Sequence, residues 1–172
     1  VMVPLVSDLV KKYCGISFVD FYSTDKVETF TINDNYTSTI TMSESPLVTV
    51  DTEKERPDYG SPYATLTTGN YEYYVDAESD AVIRTNESGN PISWKKGVGS
   101  VQITYNAGYS TCPSDLKLAL FDLVNYYMKD EHKERRSLGN AQMSNQGTSG
   151  IKSSTDFPDH IKRVLDLYRV VI

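Results

Sequence analysis

Residues 101–138 decide the fold, and they read VQITYNAGYSTCPSDLKLALFDLVNYYMKDEHKERRSL. After Pro113 the apolar residues recur at the spacing of a buried helix face, i, i+3, i+4, i+7 and i+11. Those residues are Leu116, Ala119, Leu120, Leu123 and Tyr127. Pro113 and Asp115 suit a first helical turn. The N–H that proline lacks has no partner within the helix at that position, and the helix dipole there favours a negative charge. The stretch therefore predicts a long central helix.

A second apolar stripe runs beside the first, formed by Leu118, Phe121, Val124 and Met128. A helix that is apolar on more than one side is typical of a bundle or a packed oligomer. We therefore expect this helix to be buried on more than one side. The residues predicted to pack in the bundle or ring are Leu116, Ala119, Leu120, Leu123, Val124 and Tyr127.

The chain before this segment changes its periodicity once. Residues 3–13 repeat apolar side chains at helical spacing, and Gly15 suits a C-terminal cap, so they predict a helix. Residues 16–106 alternate stretches rich in Thr, Val, Ile, Tyr and Phe with turn residues, which predicts strands. The predicted strands are 17–22, 28–32, 38–42, 47–50, 63–67, 71–75, 81–84 and 100–105. The charged stretch 52–62 contains two prolines and is predicted as an exposed loop.

The chain after the central helix divides into a polar stretch and an apolar helix. Residues 137–155 consist mostly of Ser, Gly, Asn and Gln, the composition of a flexible loop. Asp156 and Pro158 then mark the start of a C-terminal helix over about 156–170. Its apolar face carries Ile161, Val164, Leu165 and Tyr168, the anchor pattern of a helix that lies in a groove. That groove belongs either to the same chain or to a partner.

These elements predict an α+β fold in a single domain of 172 residues. Its helical core consists of the N-terminal, central and C-terminal helices. An antiparallel β-rich region, about 16–106, is inserted into that core.

Composition excludes several classes of function. The net charge is −6, from 23 acidic residues against 17 Lys plus Arg, which argues against a protein that grips DNA phosphates. Cys14 and Cys112 are too few for a disulfide framework or a metal knuckle. No apolar run reaches the roughly 20 residues of a membrane span and no signal peptide is recognisable, so we expect a soluble, unexported protein.

No group of residues predicts catalysis. The two histidines, His132 and His160, lie in charged helical segments, where a solvated surface role is expected. Phosphate-binding loops, nucleophile elbows and metal-binding motifs are absent from the sequence. We therefore expect no catalytic residue, metal or cofactor. Thirteen tyrosines leave a sugar-stacking surface as an alternative, although tyrosines in strands more often lie in a core or a subunit interface.

The segment 101–138 resembles the phage head–tail connector (adaptor) proteins. The shared pattern is a strand ending in tyrosine, an Ala-Gly-Tyr turn, a helix-opening proline, an Asp-Leu-Lys sequence and a charged helix end. The matching residues are Thr104, Tyr105, Ala107, Gly108, Tyr109, Pro113, Asp115, Leu116, Lys117, Ala119, Glu131, Arg135 and Arg136. Gly108 and Pro113 also have structural roles, in the tight turn and at the helix start.

The resemblance implies a structural protein of the virion neck, assembled in the host cytoplasm without a membrane. It implies a dodecameric ring beneath the portal protein and above the next neck or tail-terminator protein. The ring would extend the channel through which DNA passes without specific binding. Two alternatives remain, a β-rich tail or baseplate protein of the same particle and a carbohydrate-binding β module.

We also predict that the C-terminal helix contacts the portal or a neighbouring subunit. A segment built only for its own core rarely needs so long a polar tether, and Tyr and Arg are common interface anchors. The residues predicted at this interface are Ile161, Val164, Leu165, Tyr168 and Arg169. Folding of the helix back onto its own subunit is the alternative.

Overall fold

The computed structural model describes residues 2–129, 136–138, 141–143 and 157–170. Three helices and two larger antiparallel sheets confirm the predicted α+β class. The helices are α1 (Met2–Cys14), α2 (Ser114–Met128) and α3 (Asp159–Asp166). The strands are β1 (Lys26–Ile32), β2 (Thr39–Thr41), β3 (Leu47–Glu55), β4 (Ala64–Thr65), β5 (Tyr73–Asp76), β6 (Ala81–Arg84), β7 (Gly97–Ala107), β8 (Arg136–Leu138) and β9 (Ala141–Met143).

The chain divides into two compact units. The helical unit comprises Val1–Ile16 and Cys112–Ile172, and the β unit comprises Ser17–Thr111. The assignment of both units to a single domain stays a prediction. Each unit has a core of its own.

The core of the helical unit is built from one apolar face of each helix. The buried side chains are Val6, Val10, Cys14, Ile16, Leu116, Ala119, Leu123, Phe157, Ile161 and Leu165. Gly15 ends α1 with a φ of 78°, and its amide donates to the Lys11 carbonyl at 2.9 Å, as the predicted cap requires. Pro113 and Pro158 are the N-caps of α2 and α3. The helix starts therefore lie where the two prolines predict them.

The β unit contains a four-stranded sheet of order β1-β7-β3-β4 and a three-stranded sheet of order β2-β6-β5, both antiparallel. The long strand β7 alternates inward and outward side chains from position 101, so that Val101, Ile103 and Tyr105 are buried. Val82 and Trp94 are buried in the same hydrophobic cluster.

The predicted strand 17–22 is wrong. Local hydrogen bonds, such as the one from the Val19 amide to the Ser17 carbonyl at 2.8 Å, fold this stretch into turns. Phe18 adopts a φ of 59°, and its carbonyl accepts a hydrogen bond from the Tyr109 amide at 2.7 Å. A left-handed residue cannot continue a strand, so this long-range contact outweighs the β propensity of the local sequence.

The predicted exposed loop 52–62 is also wrong at its start, because β3 continues to Glu55. Glu53 and Glu55 are both buried. Burial of Glu55 is compensated, since its carboxylate lies 3.2 Å from Arg84 Nε and accepts a hydrogen bond from the Lys95 amide at 3.0 Å. The fold therefore supplies Glu55 with partners at its buried position in the strand.

Strands β8 and β9 pair as a short antiparallel hairpin, within the stretch where composition predicts a flexible polar loop. The prediction contained no strands there. The remainder of the predicted loop, residues 139–140 and 144–155, lies outside the described residues, as does His132.

Candidate functional site

Lys26, Glu28, Glu44 and Tyr105 form a polar cluster in the β unit. The ammonium group of Lys26 lies 2.9 Å from Glu28 and 3.0 Å from Glu44, and the Tyr105 hydroxyl donates to Glu28 at 2.9 Å. Burial alone would raise the pKa of Glu28, but hydrogen bonds from Ser43 and Lys26 lower it below its ordinary value. Lys26 offsets one of the two carboxylate charges, and hydrogen bonds satisfy the carboxylate oxygens of Glu28, so these contacts stabilise the fold.

The part of the chain described by the structure holds no group of three His, Cys, Asp or Glu residues able to bind a metal ion. Both cysteines are free thiols. Burial raises the pKa of the Cys14 thiol to about 11, which keeps it protonated and unreactive at neutral pH. None of the described helices has the length and apolarity that crossing a membrane requires.

The C-terminal helix α3 packs onto its own helical unit. Ile161 is 1% exposed and Leu165 is fully buried, so the centre of its apolar face contributes to the core shared with α1 and α2. Phe157 stacks edge-on against Tyr13, with ring centroids 4.9 Å apart. The helix is therefore part of a small bundle.

Hydrogen bonds connect this C-terminal segment to both α1 and α2. The Tyr13 hydroxyl of α1 donates a hydrogen bond to Asp166 at 2.6 Å. The Val170 amide donates to the Cys14 carbonyl at 3.0 Å. On the α2 side, the Tyr168 hydroxyl donates to the Asp115 carboxylate at 2.8 Å.

These contacts correct the predicted interface at α3. Ile161 and Leu165 are not available to a portal groove, because the helical unit uses them as its own core. Val164 and Tyr168 are half-buried, and Arg169 is exposed beside the Tyr13 ring. The alternative, in which the helix folds back onto its own subunit, describes α3. Contact of the remaining three residues with the portal or a neighbouring subunit stays a prediction.

Helix α2 is buried on one side within its own chain. Leu116, Ala119 and Leu123 are buried, whereas Leu120, Val124 and Tyr127 are half-buried. The second apolar stripe faces solvent, since Phe121 is 67% exposed and Leu118 and Met128 are similarly open. The described part of the chain therefore does not supply the second neighbour that the apolar pattern predicts.

Helix α1 also carries apolar side chains that its own chain leaves exposed. Met2, Leu5 and Leu9 lie at i, i+3 and i+7, along one side of the helix, and Leu5 is 62% exposed. The helical spacing of residues 3–13 predicts the helix but does not identify this stripe. Counting apolar residues on both flanks of α1 would have identified it.

An apolar groove of about 150 Å³ lies between α1 and α2 on the other flank of α1. Its lining residues are Val3, Val6, Ser7, Lys117, Leu120, Phe121 and Val124. Large exposed apolar surfaces usually mark interaction sites. The groove and the two exposed stripes are therefore the candidate functional site, and its chemistry is that of an assembly interface.

Comparison with known proteins relates this chain to a family. The family model described as "Head completion protein" matches residues 1–171. The head completion protein of Escherichia phage T5 is 32% identical over 75 residues, which are 42% of this chain and 41% of that protein. This match therefore spans less than half of the phage T5 protein.

Two solved structures have a similar fold along almost the whole chain. One is a chain in the neck of an empty GTA particle computed with C6 symmetry, with a TM-score of 0.61 at 16% identity, covering 99% of this chain and 77% of that one. The other is in the neck of a native GTA particle computed with C12 symmetry, with a TM-score of 0.62 at 15% identity, covering 99% and 81%. With the family match over residues 1–171, these findings confirm the resemblance seen in segment 101–138. The chain belongs to the head completion protein family.

Proposed function

We propose that this chain is a non-enzymatic head–tail connector subunit that forms a ring in the neck of a phage or phage-like particle. The observation that carries this proposal is the family match over residues 1–171. The fold shared with neck chains in particles of C6 and C12 symmetry supports the ring, for which a dodecamer is our expectation. The match favours the connector over a baseplate protein or a carbohydrate-binding module.

The surface of the helical unit supports assembly rather than catalysis. Phe121 and Leu5 are each more than half exposed, and each belongs to an apolar stripe. A stable folded protein keeps such surface when a partner covers it in the assembled state. Neighbouring subunits of the ring are the simplest partners for these stripes.

The proposed ring lies beneath the portal protein and above the next neck or tail-terminator protein, and it lengthens the DNA channel. A net charge of −6 suits a channel wall along which DNA slides without binding. Assembly takes place in the host cytoplasm before the ring becomes part of the virion. The proposal contains no catalytic step, so we expect the purified protein to show no hydrolase, transferase or nuclease turnover.

Native mass spectrometry and electron microscopy of the purified chain, with and without the portal protein of the same particle, test this proposal. We expect a closed ring, alone or on the portal, and a complex in which that ring is coaxial with the portal. A chain that remains monomeric under both conditions contradicts the proposed function.

A further inference from the structure

Helix α1 presents two separate apolar surfaces. One is the stripe Met2, Leu5 and Leu9, which we call the α1 stripe. The other is the groove that α1 forms with α2, which Val3 and Ser7 border from the α1 side. At 3.6 residues per turn, the two surfaces lie about 120° apart around the helix axis. One copy can therefore use both surfaces at the same time.

The groove has the size and chemistry to receive a hydrocarbon side chain. Its volume of about 150 Å³ is similar to that of apolar cavities that hold a benzene-sized molecule. Leu120, Phe121 and Val124 line it from α2, and Lys117 supplies its one charged group. Lys117 forms no salt bridge with any acidic group in the described part of the chain. A leucine accompanied by a carboxylate would suit this groove.

The α1 stripe has that combination. Asp8 is exposed and follows Leu5 by three residues, so the two side chains are neighbours on the helix surface. Lys12 follows Leu9 by three residues and borders the other end of the stripe. The stripe thus offers two exposed leucines with one charge of each sign beside them, and Asp8 is complementary in charge to Lys117.

Ring symmetry requires two different surfaces on each copy. A contact between identical patches closes as a dimer, whereas a cyclic ring is built from head-to-tail contacts between unlike patches. The α1 stripe and the groove are unlike, apolar and complementary in charge. We propose that the α1 stripe of one copy occupies the α1–α2 groove of the next copy. This inference rests on the ring of the proposed function.

Two substitutions separate the surfaces. Leu5→Asp places a charge on the stripe, and Phe121→Asp places one in the groove. Both native side chains are more than 60% exposed, so neither change disturbs the core of the helical unit. We expect each variant to remain folded and to lose ring formation, with association weakened about thirtyfold or more, as at interface hot spots. Leu167→Asp, at a side chain that is 78% exposed, is the matched control and should form rings like the unmodified chain.

Mixing the two variants identifies the partner surface. Leu5→Asp retains an intact groove and Phe121→Asp retains an intact stripe, so we expect an equimolar mixture to form 1:1 dimers that do not extend into rings. Native mass spectrometry measures both species. Folded single variants that yield no mixed dimer contradict the pairing of these two surfaces.

Two other results also overturn the inference, and they differ in what they say of the proposed function. Variants that form rings normally, or that form rings but fail to bind portal protein, show that a neighbouring copy does not occupy the groove, and they leave the ring itself intact. An unmodified chain that never forms a ring, with or without portal, overturns the proposed function and the inference together.

Discussion

The hydroxyl of Tyr168 donates a hydrogen bond to the carboxylate of Asp115, across 2.8 Å and 53 residues of sequence. It connects the segment after α3 to the first turn of α2. Asp115 also accepts a hydrogen bond from the Leu116 amide at 2.9 Å, where the helix dipole favours a negative charge. Tyr168, which we predicted to contact the portal or a neighbouring subunit, therefore forms a hydrogen bond within its own subunit.

Replacement of Tyr168 by phenylalanine tests this relationship. The Tyr168 hydrogen bond lowers the pKa of Asp115 below its ordinary value of 3.8. A lowered pKa in the folded state stabilises it above pH 3.8, and the effect is lost as pH falls through the folded pKa. We expect Tyr168→Phe to move the pKa of Asp115 back towards 3.8, as measured by carbon NMR titration of the carboxyl group. An unchanged titration in a folded variant would show that the hydrogen bond is not maintained in solution.

Truncation of Leu165 tests whether α3 belongs to the core of its own subunit. Leu165 is fully buried, so Leu165→Ala should lower the free energy of unfolding by about 2–5 kcal/mol. Leu167, two residues further on, is 78% exposed, and Leu167→Ala should change the stability by no more than about 0.5 kcal/mol. Urea denaturation at concentrations where the chain is monomeric measures both. Equal stabilities of the two variants would contradict the core role of α3 and favour the prediction that it docks on a partner.

The sequence predicted the helices well because their signals are local. The period of Leu116, Ala119 and Leu123 identifies the buried face of α2, and the prolines before α2 and α3 mark their starts. A period cannot say whether a second apolar stripe is covered by the same chain or by another copy. The exposure of Phe121 depends on how the neighbouring helices pack, which the period does not contain.

The errors have long-range causes. The turn around Phe18 depends on contacts with Gly108 and Tyr109, about ninety residues away in the sequence. Likewise, the burial of Glu55 depends on Arg84, which lies on a different strand. Propensity within a short window contains neither partner, so the window predicts a strand at Phe18 and an exposed loop at Glu55.

Substitution of Gly108 tests the close contact between this residue and the turn around Phe18. Its φ is 104°, and a Cβ atom at this position would overlap the carbonyl oxygen of Phe18. Gly108→Ala should therefore lower the free energy of unfolding by about 2 kcal/mol or more, from strain and overlap together. Gly89 is the matched control, because its φ is 74° but a Cβ atom there would meet nothing within 4 Å. Gly89→Ala should cost about 1 kcal/mol, from backbone strain alone.

Equal losses of stability in the two glycine variants, measured by thermal or urea denaturation, would contradict the steric argument at Gly108. Equality would mean that the chain near Phe18 shifts freely to admit a methyl group.

Glu53 makes the stability of the β unit dependent on pH. Its side chain is buried, and neither carboxylate oxygen reaches hydrogen-bond geometry with a described group. Burial raises the pKa of Glu53 from 4.5 to about 7, and the nearby Tyr73 hydroxyl offsets only part of this effect. The folded state therefore keeps a proton that the unfolded chain releases.

The expected consequence is a loss of stability as pH rises. Below pH 4.5 the carboxyl is protonated in both states, and its contribution to stability is fully present. Between pH 4.5 and about 7 that contribution falls by about 3 kcal/mol, and above this range both states are ionised and the slope vanishes. Glu53→Gln cannot ionise, so the difference in unfolding free energy between this variant and the unmodified chain should grow over that interval. Urea denaturation at pH 4.5, 6 and 7.5 measures it, with Glu87→Gln as the exposed control. Parallel pH profiles for the Glu53→Gln variant and the unmodified chain would show that Glu53 ionises in the folded state as readily as in the unfolded chain.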